Sequence, residues 1–125
     1  MNDTARQGPS IEEAIARFMV DLSLDGLTPK SEEGARRLMQ DQLAVQIGCA
    51  GLPWSRAILD FIRSRHAPGN ARVTTTGERM SPADAAFVNG SFGHGFEYDD
   101  AHRASSSHPG SCVVPAALAM GDELG

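Results

Sequence analysis

Ser81-Pro-Ala-Asp-Ala-Ala-Phe-Val-Asn-Gly-Ser-Phe-Gly-His-Gly95 is the stretch on which the fold class turns. Ser81 has the side chain of an N-cap, Pro82 suits the first helical position, and Asp84 stands near the positive end of the helix dipole. Ala85, Val88, Phe92 and Phe96 then recur at helical spacing, so the segment reads as a helix with one apolar stripe. Gly90, Gly93 and Gly95 fall inside it, and each costs about 1 kcal/mol relative to alanine. A helix carrying such glycines is expected to pack closely against a neighbour.

Working outward, the same helical grammar recurs. Ser10-Ile-Glu-Glu13 is a capping box, followed by Ile11, Ala14, Ile15, Phe18, Met19 and Leu22 on one face and a stop near Gly26. Thr28-Pro29 opens a second helix whose face continues through Ala35, Leu38, Met39 and Leu43. The apolar run from Leu43 to Gly51 is expected to be buried almost all round. Pro53 opens a third helix, with Trp54, Ala57, Ile58, Phe61 and Ile62 expected on its core side; His66-Ala-Pro-Gly-Asn70 ends it, with His66 exposed in the turn. Ala71–Met80, with Val73, Thr74–Thr76 and Gly77, is the single β-like passage and reads as a short hairpin. Val113–Leu124 is helical again, and with no polar tail it reads as cut rather than capped. The expectation is an all-α, helical bundle-like domain over residues 10–125, incomplete, with one hairpin near 71–80 and a disordered tail over 1–9.

Composition excludes several classes. The chain has 125 residues, 41% hydrophobic and 22% charged, the profile of one soluble domain. No stretch approaches the roughly 20 apolar residues that span a bilayer, and the N-terminus lacks the apolar core of a secretory signal. Cys49 and Cys112 stand far apart without a C-x-x-C pair, so both read as buried thiols in a reducing, cytoplasmic setting. Residues 1–80 balance ten acids against ten bases, whereas 81–125 hold six acids and the single base Arg103, so the net charge of -5 lies in the last third. No basic stripe is present to neutralise phosphates, which argues against nucleic-acid binding.

That acidic third holds the chemistry. His94, Glu97, Asp99, Asp100, His102 and His108 fall within 15 positions. On a helix His94 and Glu97 would share a face, Asp99 and Asp100 would mark its end, and His102 and His108 would lie on the loop beyond. Imidazoles among carboxylates are proton donors and acceptors suited to general acid/base work, worth about 10²–10⁴-fold in rate. The same residues would also serve as a solvated loop of Asx turns. A third reading is a metal-binding helical domain, since H-x-x-E and D-D-x-H supply donors for zinc, manganese or iron, but the spacing is not that of H-E-x-x-H. Cys112 has no thiolate-activating neighbours in sequence and reads as packing. Tyr98 reads equally as hydrogen-bond donor or wedge.

Ala86-Phe-Val-Asn-Gly90, His94-Gly-Phe-Glu-Tyr-Asp-Asp100, His102, His108-Pro-Gly110 and Val113-Val-Pro-Ala-Ala-Leu118 together resemble the MmgE/PrpD family of 2-methylcitrate dehydratases, cis-aconitate decarboxylases and related isomerases. Ala35-Arg-Arg-Leu, Asp41-Gln-Leu-Ala-Val and Gly77-Glu-Arg-Met-Ser-Pro-Ala-Asp84 are similar to the family's opening helices, so the resemblance covers nearly all of residues 10–125. It implies an all-α domain joined to a smaller α+β domain, a site where the two meet, and cofactor-independent proton chemistry on small polycarboxylates. It further implies a homodimer for the complete enzyme, and a remaining lysine and histidine supplied from beyond residue 125. On that resemblance His108, Glu97, Asp99 and His102 are the expected catalytic residues, with His108 carrying a proton and Glu97 and Asp99 positioning water, substrate or His102. Asp100, Arg103, Asn89 and His94 are the expected substrate contacts, and no metal ligand is implied. Ala101 stands where the family carries threonine, removing a hydroxyl. A citrate-like substrate needs cationic receptors, and Arg103 alone in this third cannot supply them. The intact lyase therefore requires a missing C-terminal portion or a complementary subunit. The competing expectation is a non-catalytic truncated chain that packs on another polypeptide.

Overall fold

In a computed structural model, which describes residues 8–65 and 67–125, the elements run α1 (Ile11–Asp21), a 3-10 turn (Leu24–Gly26), α2 (Pro29–Cys49), α3 (Pro53–Arg65), β1 (Ala71–Arg72), β2 (Arg79–Met80), α4 (Pro82–Gly93) and α5 (Gly110–Leu124). The chain is mostly helical with one antiparallel ribbon, as its punctuation dictates. His66 and most of the N-terminal tail lie outside the described residues. The chain divides into two compact units, residues 1–33 and 34–125. No helix among the described residues is long and apolar enough to cross a membrane.

In the first unit the capping box forms as spelled: Glu13 N–H donates to Ser10 Oγ at 3.2 Å, and Ser10 N–H donates to Glu13 Oε2 at 3.0 Å. The helix ends at Asp21 rather than at Gly26, because Leu22 turns extended and Leu24–Gly26 tightens into the 3-10 turn. The apolar face of α1 is exposed along its length. Thr28 caps α2 by accepting from Ser31 N–H at 3.1 Å.

In the second unit the core joins Leu59 and Ile62 of α3, Ala71, Val73 and Met80 of the ribbon, Ala85, Val88 and Phe92 of α4, and Ala119 of α5. Three expectations fail here, two because a helix's apolar face becomes core only where a neighbour covers it and the third because its helix ends early. The buried stripe of α2 is Gln42, Gln46 and Cys49, while Ile47 is 64% exposed, so Leu43–Gly51 is not buried all round. The buried side of α3 is Ser55, Leu59 and Ile62, with Trp54 and Phe61 outside. The α4 stripe holds through Phe92, but the helix stops at Gly93, leaving Gly95 beyond it and Phe96 exposed. Cys49 is buried and Cys112 is exposed, so only one thiol follows expectation.

The glycines do permit close packing. A methyl at Gly90 would stand 2.6 Å from the Ser111 carbonyl oxygen on α5, and one at Gly93 would collide with the Gln42 carboxamide. The ribbon, in register Ala71 to Met80 and Arg72 to Arg79, is pinned from two helices. From α4, Asn89 accepts from Thr74 N–H at 3.0 Å and donates to the Arg72 carbonyl at 2.9 Å. From α5, Asp122 accepts from the Arg72 backbone at 3.0 Å and from its guanidinium, and Glu123 accepts from Asn70 N–H at 2.7 Å. Arg63 of α3 pairs with Asp60 at 2.8 Å and with Glu78 on the ribbon.

Two predictions follow from this packing. On helix propensity alone, Gly90→Ala would gain about 1 kcal/mol. The contact with a backbone carbonyl instead overpacks the α4–α5 crossing, so chemical denaturation should report a loss of about 1–3 kcal/mol; a stabilised variant would show that the helices are not this close. The second concerns pH. Hydrogen bonds from Arg72 hold the Asp122 carboxyl below the usual range, and Arg63 does the same for Glu78. A carboxyl depressed by folding contributes stability above its unfolded value and loses it as pH falls through the folded value. The melting temperature should therefore decline between about pH 5 and pH 3, and Asp122→Asn should flatten that decline. Parallel curves for wild type and variant would remove the ion pair from the account.

Candidate functional site

The end of α4 and the start of α5 place the site. α4 stops because His94 leaves helical geometry after its N–H has reached the Gly90 carbonyl. The chain then turns sharply: Gly95 N–H donates to the Phe92 carbonyl at 3.0 Å and Glu97 N–H to the His94 carbonyl at 3.2 Å. Trp54 of α3 fastens this turn, its indole N–H donating to the Gly95 carbonyl at 3.2 Å and its ring meeting Phe96 edge-on at 5.9 Å. Phe96 in turn lies 5.6 Å from Tyr98. Trp54, expected in the core, is thus a half-exposed clamp on this loop.

At the centre stands Asp99, whose side chain is 0% exposed. His94 Nδ1 lies 3.0 and 3.2 Å from its two oxygens. His108 Nδ1 lies 3.3 Å from Oδ1. The two imidazoles meet edge to face with centroids 4.8 Å apart, and both remain partly exposed, at 42% and 30% of their side chains. One sealed carboxylate therefore hydrogen-bonds the His94 ring and lies close to the His108 ring, whose Nδ1 has no hydrogen-bond partner. Glu97 Oε1 is 4.0 Å from His94 Nε2, and Glu97 adopts a left-handed backbone with φ of 54°. That conformation is disfavoured for a side-chain-bearing residue and collects at functional sites.

The other expected residues are placed differently. Asp100 accepts from Gly110 N–H at 2.8 Å, occupying a free donor at the start of α5. His102 turns to Ser105, with Nδ1 2.8 Å from Oγ, in a loop closed by His102 N–H donating to the Ser107 carbonyl at 2.8 Å. Asp99 thus reaches His94 and His108 rather than His102. Arg103 is exposed in the same loop, and Asn89 has its amide committed to the ribbon. The helical spacing of His94 and Glu97 suggested that pair, but α4 ends one residue before His94, so the five-residue step to Asp99 makes the tighter contact. Gln42 was not singled out by sequence at all. It is fully buried beneath the loop, donates weakly to the Gly93 carbonyl at 3.5 Å and leaves Oε1 without a partner. Its place three and four residues after Met39 and Leu38, on the α2 face read as apolar, was the available signal.

Beside His94 an open hollow of about 360 Å³ is lined by Ala86, Phe87, Gly90, Ser91, Ser111 and Cys112. It is of a size for a small ligand, yet its lining contains no cation. Chemically, the arrangement can hold and move a proton through imidazoles oriented by a carboxylate.

The profile described as the MmgE/PrpD N-terminal domain matches residues 13–125. The chain is 25% identical over 122 residues to the cis-aconitate decarboxylase-like protein oryM of Aspergillus oryzae, an alignment covering 98% of this chain and 25% of that protein. It is 27% identical over 118 residues to a cis-aconitate decarboxylase of Mus musculus, covering 92% of this chain and 24% of the relative. The chain thus spans about a quarter of the length of these curated relatives. No solved structure matches it. With the profile extending over nearly every residue after the first capping box, this chain belongs to the MmgE/PrpD family.

Proposed function

We propose that the chain supplies the acid/base side of a lyase site for small polycarboxylates, with His108 as the group that carries the proton. The observation that supports this reading is the sealed Asp99 carboxylate between His94 and His108. A carboxylate hydrogen-bonded to an imidazole fixes the ring's orientation, as Asp99 does for His94, with His108 packed against both. In a decarboxylation, the bond to one carboxylate breaks, carbon dioxide leaves, and the electron pair left on carbon takes a proton from His108. In a dehydration of 2-methylcitrate type, one group removes a carbon-bound proton, the electron pair forms the double bond, and an acid protonates the departing hydroxyl. The names of the two relatives make cis-aconitate the first substrate to test; 2-methylcitrate is the second, on the family resemblance alone. Glu97, 4.0 Å from His94, is the nearer of the exposed carboxylates to the imidazole pair and orders water or substrate there.

A second reading has its own observation. Ala35, Leu38, Met39, Val113, Val114, Ala117 and Leu118 line an entirely apolar hollow of about 230 Å³ between α2 and α5, and Val113 is mostly exposed. Such a surface favours a chain that packs on a complementary polypeptide before any turnover. The two readings meet in a split site, whose cationic wall comes from the partner.

Turnover of cis-aconitate and 2-methylcitrate should be followed by proton NMR with the chain alone and with the C-terminal remainder of a family member added. Activity is expected only in the mixture, and there His108→Ala should lower kcat by about 10²–10⁴-fold. Retention within about threefold would remove the proton from His108. Glu97 offers a separate check, because relieving its left-handed backbone should not destabilise the fold. Glu97→Gly is expected to keep or raise the melting temperature, by up to about 1 kcal/mol in stability, while turnover falls. Wild-type turnover in that variant would leave the strained residue without a role at the site.

A further inference from the structure

Three donor atoms converge at the end of α4. Asp99 Oδ1 lies 3.0 Å from His94 Nδ1 and 3.3 Å from His108 Nδ1, and all three fall within 4.8 Å of one another. Two ligands bound to one tetrahedral ion, each about 2.1 Å from it, stand roughly 3.4 Å apart. The two short separations, to His94 and to His108, therefore suit a shared cation as well as a hydrogen bond. Orientation discriminates between the two. His108 Nδ1 is buried and makes no hydrogen bond, although the Asp99 oxygen is only 3.3 Å away. The ring is close to that oxygen without being aligned on it, as happens when donors face a common point instead of each other. A buried nitrogen left in this way costs about 1–3 kcal/mol, which coordination would remove.

We propose that His94, Asp99 and His108 form a three-ligand site for a zinc ion. Two imidazoles and one carboxylate suit zinc and are a poor set for magnesium, which demands oxygen. Three protein ligands leave a fourth position open. Glu97, 4.0 Å from the other nitrogen of His94, stands where an outer carboxylate orients a metal-bound imidazole. Zinc at this point would draw Asp99 and His108 into coordination and so switch off proton transfer; that consequence rests on the acid/base reading, whereas binding does not.

The test is calorimetric titration of the purified chain with zinc chloride, with magnesium chloride in parallel and no substrate present. One zinc per chain is expected, with no comparable magnesium binding. Asp99→Asn, His94→Ala and His108→Ala should each weaken zinc by at least about tenfold, while His102→Ala, whose ring turns to Ser105, should not. Circular dichroism checks that the variants are folded. Should Asp99→Asn fail to fold, His94→Ala, made at a partly exposed side chain, still decides the matter. Zinc binding no tighter than magnesium, or undiminished in His94→Ala, or lost equally in His102→Ala, would overturn the proposal. Because no turnover is measured, failure here leaves the acid/base reading standing, and loss of that reading leaves the zinc site standing.

Discussion

A carboxylate with no exposed surface must be compensated where it stands, because stripping water from a charge costs several kcal/mol unless partners replace it. Asp99 is in that position, and its neighbours are the imidazoles of His94 and His108. One of them belongs to the end of α4 and the other to the entrance of α5. Satisfying Asp99 therefore closes the intervening loop and brings two helix ends together. The functional arrangement and the local folding problem have the same solution, which explains why the loop is polar in sequence yet fixed at its two ends.

Closure also needs the helices to approach. Gly90 lets α4 meet the Ser111 carbonyl, and Gly93 lets the same helix sit on Gln42. Asp100 then caps Gly110, where a side chain would collide with its carboxylate. Each glycine weakens its own helix by propensity, and the penalty is offset by an approach that no other residue allows. The ribbon braces the far side, since Asn89 and Asp122 hold it to α4 and α5 respectively.

Much of this was legible in the sequence, and the boundary of what was legible is physical. Caps depend on neighbours three residues away, so Ser10, Thr28 and Ser81 fixed their helix starts without help from tertiary structure. The close packing of Gly90 and Gly93 was legible because such glycines are costly without a reason. Burial was less legible: Ile47, Trp54 and Phe61 are apolar and exposed, while Gln42, Gln46 and Ser55 are polar and sealed. Those positions are decided by which face a neighbouring element covers, and helical periodicity marks a face without saying what covers it. At the site, the sequence brought His94, Asp99 and His108 into one short stretch but could not pair them. The pairing depends on α4 ending at Gly93, after which helical spacing no longer applies.

The electrostatics carry the argument one step further. Of the six acids in the last third, Asp122 is taken by Arg72, Asp99 by the His94 imidazole with His108 beside it, Asp100 by a helix amide and Glu123 by the Asn70 backbone amide. Asp84 accepts from the Ser81 hydroxyl at 2.8 Å, at the start of its own helix. That leaves Glu97 as the acid presented outward beside the imidazole pair, on a backbone it adopts at a cost. A polyanionic substrate meets one exposed negative charge here and no cation in the hollow beside His94. Attraction over a Debye length of about 8 Å cannot be supplied from such a surface. For the lyase reading, the groups that hold the substrate's carboxylates must then face this loop from another stretch of polypeptide, with Asp99 and His108 contributing proton chemistry and little of the affinity.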